Sequence, residues 1–333
     1  MSAAMTVNEP RFMDILVIGV SNIFCRRVLP ALLSLECVDK IHLASSRTSV
    51  EVDIPESRRG KFICGYEKAL RDTPPCIAYI SLPNHLHAEW TRKALLAGFH
   101  VIVDKPAFLD WDETQSILQL AKQNNCCLAE STVWPFHPQV QAVRNSFDRV
   151  GSEPRSIQAV FSFAPLPKSN FRNDPKMGGG SFYDLGRYAV TPGRIFFQDD
   201  PLYVSADILS RDDESGIDTG FVFSAIYSRG RSFQGYFSFD TEYKNCLSIL
   251  GRGMAVTLEP AFTFTNAMIS EINIRVGSKS ERIAFEPADS FAVFFQAVIN
   301  SIRAGEWMSW LDVLGRDAHV MHRAAEAAGV KRI

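Results

Sequence analysis

One unit recurs through the first 130 or so residues: a short apolar run of β-formers, a turn, then a stretch of helical length. Strands are predicted at 13–18 (MDILVI), 38–45 (VDKIHLAS), 76–82 (CIAYISL), 99–103 (FHVIV) and 126–129. Helices are predicted between them at 24–33, 88–97 and 111–124. Runs apolar on both sides, joined by helical crossovers, fit a parallel sheet covered on both faces. Near residue 130 the period changes to two. Segments 156–164, 203–209, 220–228, 232–240, 246–250 and 255–259 alternate, and 272–276 and 282–286 look like shorter edge strands. Many strands in succession predict an antiparallel sheet. The expectation is an α/β domain over 1–129 and an α+β domain with a large open, mainly antiparallel sheet over 130–333. Two closing helices, 290–303 and 310–328, can pack back on the first domain.

Composition excludes several classes of function. A net charge of −2 gives no field for nucleic acid. The short basic clusters Arg58-Arg59-Gly60-Lys61 and Arg229-Gly230-Arg231 read as solvated loops. No apolar run approaches the ~18 residues of a membrane span, and residues 1–11 lack the pattern of a secretion signal. Seven cysteines, Cys126 and Cys127 adjacent and the others scattered, fit reduced thiols and a cytoplasmic protein. No metal-ligand spacing stands out. His319 and His322 lie one turn apart without an acid in reach by spacing and read as surface or packing residues.

The candidate chemistry gathers at predicted strand ends, where open α/β sheets bind ligands. After the first strand comes Gly19-Val20-Ser21-Asn22-Ile23-Phe24. Gly19 fills the first position of a dinucleotide fingerprint, Ser21 the second and Phe24 the third. Alone, this fits an ordinary βα turn equally well, and a Phe at the third position must change how the helix packs on the strand. After the second strand stand Ser46 and Arg47; a hydroxyl and a guanidinium suit a 2′-phosphate, so NADP is preferred over NAD. Leu82-Pro83-Asn84-His85-Leu86-His87 follows the 76–82 strand, with Asn84 able to cap the next helix. Asp104-Lys105-Pro106 follows the 99–103 strand, and Pro106 restricts the backbone of Lys105. Farther on, Gly178-Gly179-Gly180 precedes a helix on which Asp184 and Tyr188 share a face. Three glycines let backbone approach a ligand and offer helix-end amides to it.

These spaced motifs resemble the glucose-fructose oxidoreductase / inositol dehydrogenase / rhizopine-catabolism (Gfo/Idh/MocA) oxidoreductases along nearly the whole chain. The family's E-K-P is Asp104-Lys105-Pro106 here, and its T-P-N-x-x-H is Leu82 to His87. Its G-G-G-x-x-x-D-x-G-x-[HY] is Gly178-Gly179-Gly180, Asp184, Gly186 and Tyr188. Phe136-His137-Pro138-Gln139 and Arg26-Arg27-Val28-Leu29-Pro30 look like the branch acting on pyranoses and nucleotide-linked keto-sugars.

The resemblance implies a Rossmann domain holding NAD(P) and a second domain that often makes the dimer contact. A homodimer or homotetramer through the second sheet is therefore expected. It implies hydride transfer between nicotinamide and a carbinol or keto carbon of a sugar, nucleotide-sugar or cyclitol. Gly19, Ser21, Asn22, Ile23, Ser46, Arg47, Leu82, Pro83, Asn84, His87, Asp104 and Lys105 become cofactor contacts. Tyr188 becomes the proton donor, Lys105 the cation that lowers its pKa, and Asp184 a positioning carboxylate. Trp134 and Arg172 join Lys105, Asp184 and Tyr188 as substrate contacts. The chain departs from the family pattern at Phe24, at Asp104 in place of Glu, and at Leu82 in place of Thr. Two other readings stand beside the enzyme: a catalytically inactive NAD(P)- or sugar-sensing regulator, and an interaction protein using the alternating Phe face of 220–240.

Overall fold

The computed structural model describes residues 13–265 and 267–330. Its first sheet has six strands: β1 (Met13–Ile18), β2 (Val38–Ser45), β3 (Arg59–Cys64), β4 (Ile77–Ile80), β5 (His100–Val103) and β6 (Leu128–Glu130). All its pairings are parallel, in the order β3-β2-β1-β4-β5-β6. The order reverses between β1 and β4, which opens a crevice at their carboxyl ends. Helices α1 (Leu29–Ser34), α2 (Tyr66–Asp72), α3 (His87–Leu96) and α4 (Trp111–Gln123) make the crossovers.

The sequence reading missed β3 and misread its basic residues. Arg58 and Arg59 are not free in solvent: Arg58 donates to the carbonyls of Leu35 and Val38, and Arg59 to that of Ile54. A charged strand at a sheet edge resists pairing with other chains, and the same charges hide its apolar period. Arg231 is likewise tied down, to Asp199 and the Phe197 carbonyl.

Phe24 has a structural explanation. The predicted first helix opens as a π-helical turn, Phe24–Val28, before α1 begins with Pro30 in its first turn. There the missing proline N–H is not needed. The Ser21 hydroxyl accepts from the Phe24 amide at 3.1 Å. The fully buried Phe24 ring turns into the core against Tyr79, 6.4 Å between centroids. The third fingerprint position therefore fills the core and does not close the crevice.

The second sheet has eight strands: β7 (Pro154–Ser162), β8 (Tyr203–Arg211), β9 (Asp218–Tyr227), β10 (Arg231–Ser238), β11 (Lys244–Gly251), β12 (Met254–Leu258), β13 (Ser270–Val276) and β14 (Lys279–Phe285). Its order is β14-β13-β12-β11-β7-β10-β9-β8, antiparallel except between β7 and β10. Phe221, Phe223, Phe233 and Phe237 point inward and share a core with α5 (Pro138–Val150) and α6 (Ser181–Phe197). The alternating Phe face is thus this chain's own core, which removes the basis for an interaction protein built on it. Tyr203, Leu209 and Ile226 on the opposite face stay exposed.

Helix α7 (Ser290–Arg303) packs wholly on the first sheet's core through Phe294, Phe295, Val298 and Ile299. Helix α8 (Met308–Ala327) joins the two cores, with Leu311 and Leu314 in the first and Val320, Met321 and Ala324 in the second. His319 and His322 stack on Trp111 at 5.1 and 6.1 Å, and His322 also has an acid in reach, contrary to the sequence reading: Glu326, one turn on, lies 3.5 Å from its Nε2. Among the described residues, no helix is long and apolar enough to cross a membrane.

Restoring a small residue at the third fingerprint position leaves a cavity between β1, β4 and α7. Phe24→Ala is expected to lower unfolding free energy by about 3–5 kcal/mol in urea titrations. An unchanged midpoint would show that the ring is not core.

Candidate active site

The crevice begins at Gly19, whose φ is +90°. A Cβ there would stand 2.4 Å from the Ser81 carbonyl oxygen, so β1 and β4 converge only with glycine at this point. The turn beyond it leaves Asn22 and Ile23 exposed. Ser21 is fixed instead: its hydroxyl bonds Ser81 Oγ at 2.7 Å. Ser46 and Arg47 lie exposed just past β2, and the Arg47 side chain makes no ion pair with a described residue. A glycine turn at the switch point and an unpaired guanidinium beyond β2 fit a phosphorylated dinucleotide.

Asp104 follows β5, and its carboxylate accepts from three hydroxyls: Tyr79, Ser81 (3.0 Å) and Ser131 (3.1 Å). The next residue, Lys105, reaches across to α6. Its ammonium donates to the Asp184 carbonyl at 2.7 Å and to Asp184 Oδ1 at 2.9 Å. Arg172 Nε pairs with Asp184 Oδ2 at 2.9 Å. The ammonium lies 5.3 Å from the centroid of the Tyr188 ring, which Phe161 and Phe262 flank at 4.8 and 5.2 Å. Lys105, Asp184 and Tyr188 therefore meet, as their spacing and the family pattern imply.

The electrostatics depart from expectation in one respect. Burial drives the Asp184 carboxyl upward, but Lys105 and Arg172 outweigh it and hold the group far below the usual carboxylate range. Burial is the largest effect on the Lys105 ammonium and works against it, but the Asp184 charge and hydrogen bond together with Tyr188 outweigh it, leaving its pKa above the ordinary lysine value. Tyr188 is raised, not lowered: burial pushes its hydroxyl up, and the opposing pull of the Lys105 charge is the smaller effect. The expected lowering by Lys105 is present but does not win. At neutral pH the hydroxyl is protonated.

Several candidate contacts are spent inside the protein. Asn84 caps no helix; its amide donates to the Gly178 carbonyl at 2.9 Å and links the two halves of the fold. His87 is fully buried, its ring nitrogens facing the carbonyls of Pro106 (2.9 Å) and Leu82 (2.7 Å). Both side chains shape the loops around Lys105. Leu82 packs over Gly19, and Pro83 precedes the short turn that leads into α3. Trp134 lies in the core. It is 1% exposed between Phe196 and Phe262, and its indole N–H donates to Thr191. Arg172 is half-buried and committed to Asp184, so its first partner is a protein carboxylate.

The triple glycine also serves the protein itself. A Cβ on Gly179 would lie 2.4 Å from the Arg172 carbonyl oxygen, and one on Gly180 2.4 Å from Asp218 Oδ1. Asp218 caps α6, accepting from the Phe182 amide at 2.6 Å and Ser181 Oγ at 2.7 Å. The Phe182 amide, at the helix end that sequence reading offered to a ligand, is taken by this carboxylate. Asp218, the first residue of β9, went unnoticed because the sequence before it is polar and carries no motif. Arg27 was quoted only as part of a motif. It crosses from the first turn to the Phe264 carbonyl at 2.5 Å, and its charge bears on Tyr188.

Residues 13–132 match the oxidoreductase family with an NAD-binding Rossmann fold, and residues 149–257 match the GFO/IDH/MocA C-terminal domain. The chain belongs to the Gfo/Idh/MocA oxidoreductases. Within this family it is similar to the dTDP-3,4-didehydro-2,6-dideoxy-α-D-glucose 3-reductase of Actinomadura kijaniata, at 28% identity over 87% of this chain and 89% of that one. It is similar to the NADP-dependent D-xylose 1-dehydrogenase 2 of Haloferax volcanii at 27% identity, with the same coverage. A crystal structure of a 3-ketoreductase from Actinomadura kijaniata, in complex with NADP and TDP-benzene, superposes with a TM-score of 0.86. That match has 26% identity and covers 95% of this chain and 98% of the other.

Removing the Asp184 charge leaves two half-buried cations unneutralised, so Asp184→Asn is expected to cost about 3–5 kcal/mol. Because the folded-state pKa is depressed, this difference is complete above the unfolded value of about 3.9 and lost as pH falls through the folded one. Urea unfolding of both proteins should show a constant gap from pH 6 to 8 and a shrinking gap below about pH 4. A gap that grows on acidification would refute the ion-pair account.

Proposed function

We propose that this protein is an NADP-preferring oxidoreductase that interconverts a carbinol and a keto carbon on a sugar or nucleotide-linked sugar. The observation that carries the reading is the meeting of Lys105, Asp184 and Tyr188 at the mouth of the crevice. Gly19, Ser21, Asn22 and Ile23 would hold the pyrophosphate, Ser46 and Arg47 the 2′-phosphate, and Leu82 and Pro83 would line the nicotinamide end. When bound, the nicotinamide supplies or accepts the hydride. All else falls to the side chains. Reduction of a ketone builds negative charge on its oxygen, which needs a proton and a nearby cation. Tyr188 gives the proton from its hydroxyl, and the Lys105 ammonium stabilises the phenolate left behind. In oxidation the phenolate takes the proton back. Asp184 keeps Lys105 charged and aimed. The family's sugar-acting members, named above, support the substrate class.

We extend the proposal to the whole molecule. The chain divides near 129/130 into a cofactor domain and a substrate domain, α7 and α8 returning to the first. It works in the cytoplasm, where its thiols stay reduced. Two copies associate through the outer face of the second sheet, where Tyr203, Leu209 and Ile226 are exposed. Sedimentation equilibrium should give a dimer or tetramer, and Ile226→Glu should shift it to monomer; a monomeric native protein would rule this association out.

The decisive test couples binding to turnover. Lys105→Ala and Tyr188→Phe should retain NADPH binding by fluorescence yet lose roughly 10²–10⁴-fold in kcat against a panel of keto-sugars. Arg47→Ala should weaken NADPH about tenfold while sparing NADH, the loss expected of one charge-assisted contact. With the Tyr188 hydroxyl raised above the ordinary tyrosine value of about 10, reduction should still hold its rate at that pH and not fall off there. Native protein that binds neither nucleotide, or variants that turn over normally, would overturn the assignment.

A further inference from the structure

Two of the chain's departures from its family, Phe24 and Asp104, converge on one side chain that no motif marks. Tyr79 lies on β4, fully buried. Its ring packs against Phe24 at 6.4 Å and Phe295 at 5.5 Å, and its hydroxyl donates to Asp104 Oδ1. The same carboxylate receives Ser81 Oγ from the end of β4 and Ser131 Oγ from the end of β6. Ser81 uses its proton on Asp104, so Ser21 must donate to Ser81, and the Phe24 amide in turn donates to Ser21. The Asp104 amide donates to the Ile80 carbonyl, and the Ser131 amide to that of Val103. A single carboxylate thus spans β4, β5 and β6 at the residue from which the chain leaves for Lys105.

Aspartate is one methylene shorter than the family's glutamate. The phenol closes that distance from below, and the Phe24 ring holds the phenol in place. We infer that Tyr79 is a positioning residue for the active site: through Asp104 it fixes the strand end that aims Lys105 at Asp184 and Tyr188. Burial pushes the Tyr79 hydroxyl well above its ordinary range, so it remains a donor at every working pH. A tyrosine serving only as core filler would affect stability and leave Lys105 untouched. The inference rests on the reading of Lys105 as catalytic.

Its test therefore needs one readout that turnover does not supply. Lys105 acylation by acetic anhydride, followed by peptide mass spectrometry, reports how firmly the ammonium is held. It is measured beside kcat for native protein, Tyr79→Phe, Asp104→Glu and the double variant. Tyr79→Phe keeps the ring and its packing. It should raise the Lys105 acylation rate about tenfold and lower kcat about tenfold, the scale of one hydrogen bond to a charged acceptor. Asp104→Glu alone should behave similarly, since the longer acid and the phenol compete for one space. Asp104→Glu with Tyr79→Phe should bring both readouts back to within about threefold of native, because only a length-matched pair restores the bond. Native acylation and kcat in Tyr79→Phe, or a double variant no better than either single, would overturn the inference. If acylation follows this pattern while no variant, native included, turns over any keto-sugar, the oxidoreductase reading fails and the positioning role stands.

Discussion

The Asp184 carboxylate accepts from Lys105 at the end of a first-sheet strand and from Arg172 in a second-sheet loop, so its charge is balanced only while both halves of the fold stay in register. A buried carboxylate without these partners would be strongly unfavourable. The condition reaches outward from there. Asn84 must meet Gly178, and Arg27 must meet Phe264. Helix α8 must contribute to both cores at once. The crevice is shaped by these links between the two sheets.

Those links also explain where the chain keeps its glycines. Gly178, Gly179 and Gly180 lie where Leu109, the Arg172 carbonyl and Asp218 leave no room for a Cβ. That closeness lets α6 begin at the mouth of the crevice, with Asp218 on the Phe182 amide and the Ser181 hydroxyl and Asp184 one turn in. Backbone approach is required, as three glycines suggest, but the approaching groups belong to the protein.

Tyr188 shows two opposing effects resolved by magnitude. The Lys105 charge favours the phenolate, while burial among Phe161 and Phe262 disfavours it more. The outcome is a neutral hydroxyl beside a cation. That is a proton donor whose conjugate base is stabilised once the proton has left. The ammonium can do this because Asp184 keeps it charged in a place where burial alone would disfavour it.

Much of this was legible in the sequence. Apolar runs of strand length separated by helical stretches determined the parallel sheet, and a period of two determined the antiparallel one, because side-chain periodicity follows directly from backbone geometry. Spacing alone put Asp184 and Tyr188 on one helix face, and the family pattern paired them with Lys105. Tertiary structure decided what periodicity cannot encode. Trp134 and His87 look functional in a motif, yet both are buried with their polar atoms satisfied internally. Phe24 looks like damage to a fingerprint, yet it packs on Tyr79. Asp218, Arg27 and Tyr79 carry no local signal, since each acts on a partner 36 or more residues away or, for Tyr79, across a strand pair 25 residues apart. A sequence records which groups are present and which face they take; only the folded chain sets which donor reaches which acceptor, because that depends on packing distance and on how much water burial removes.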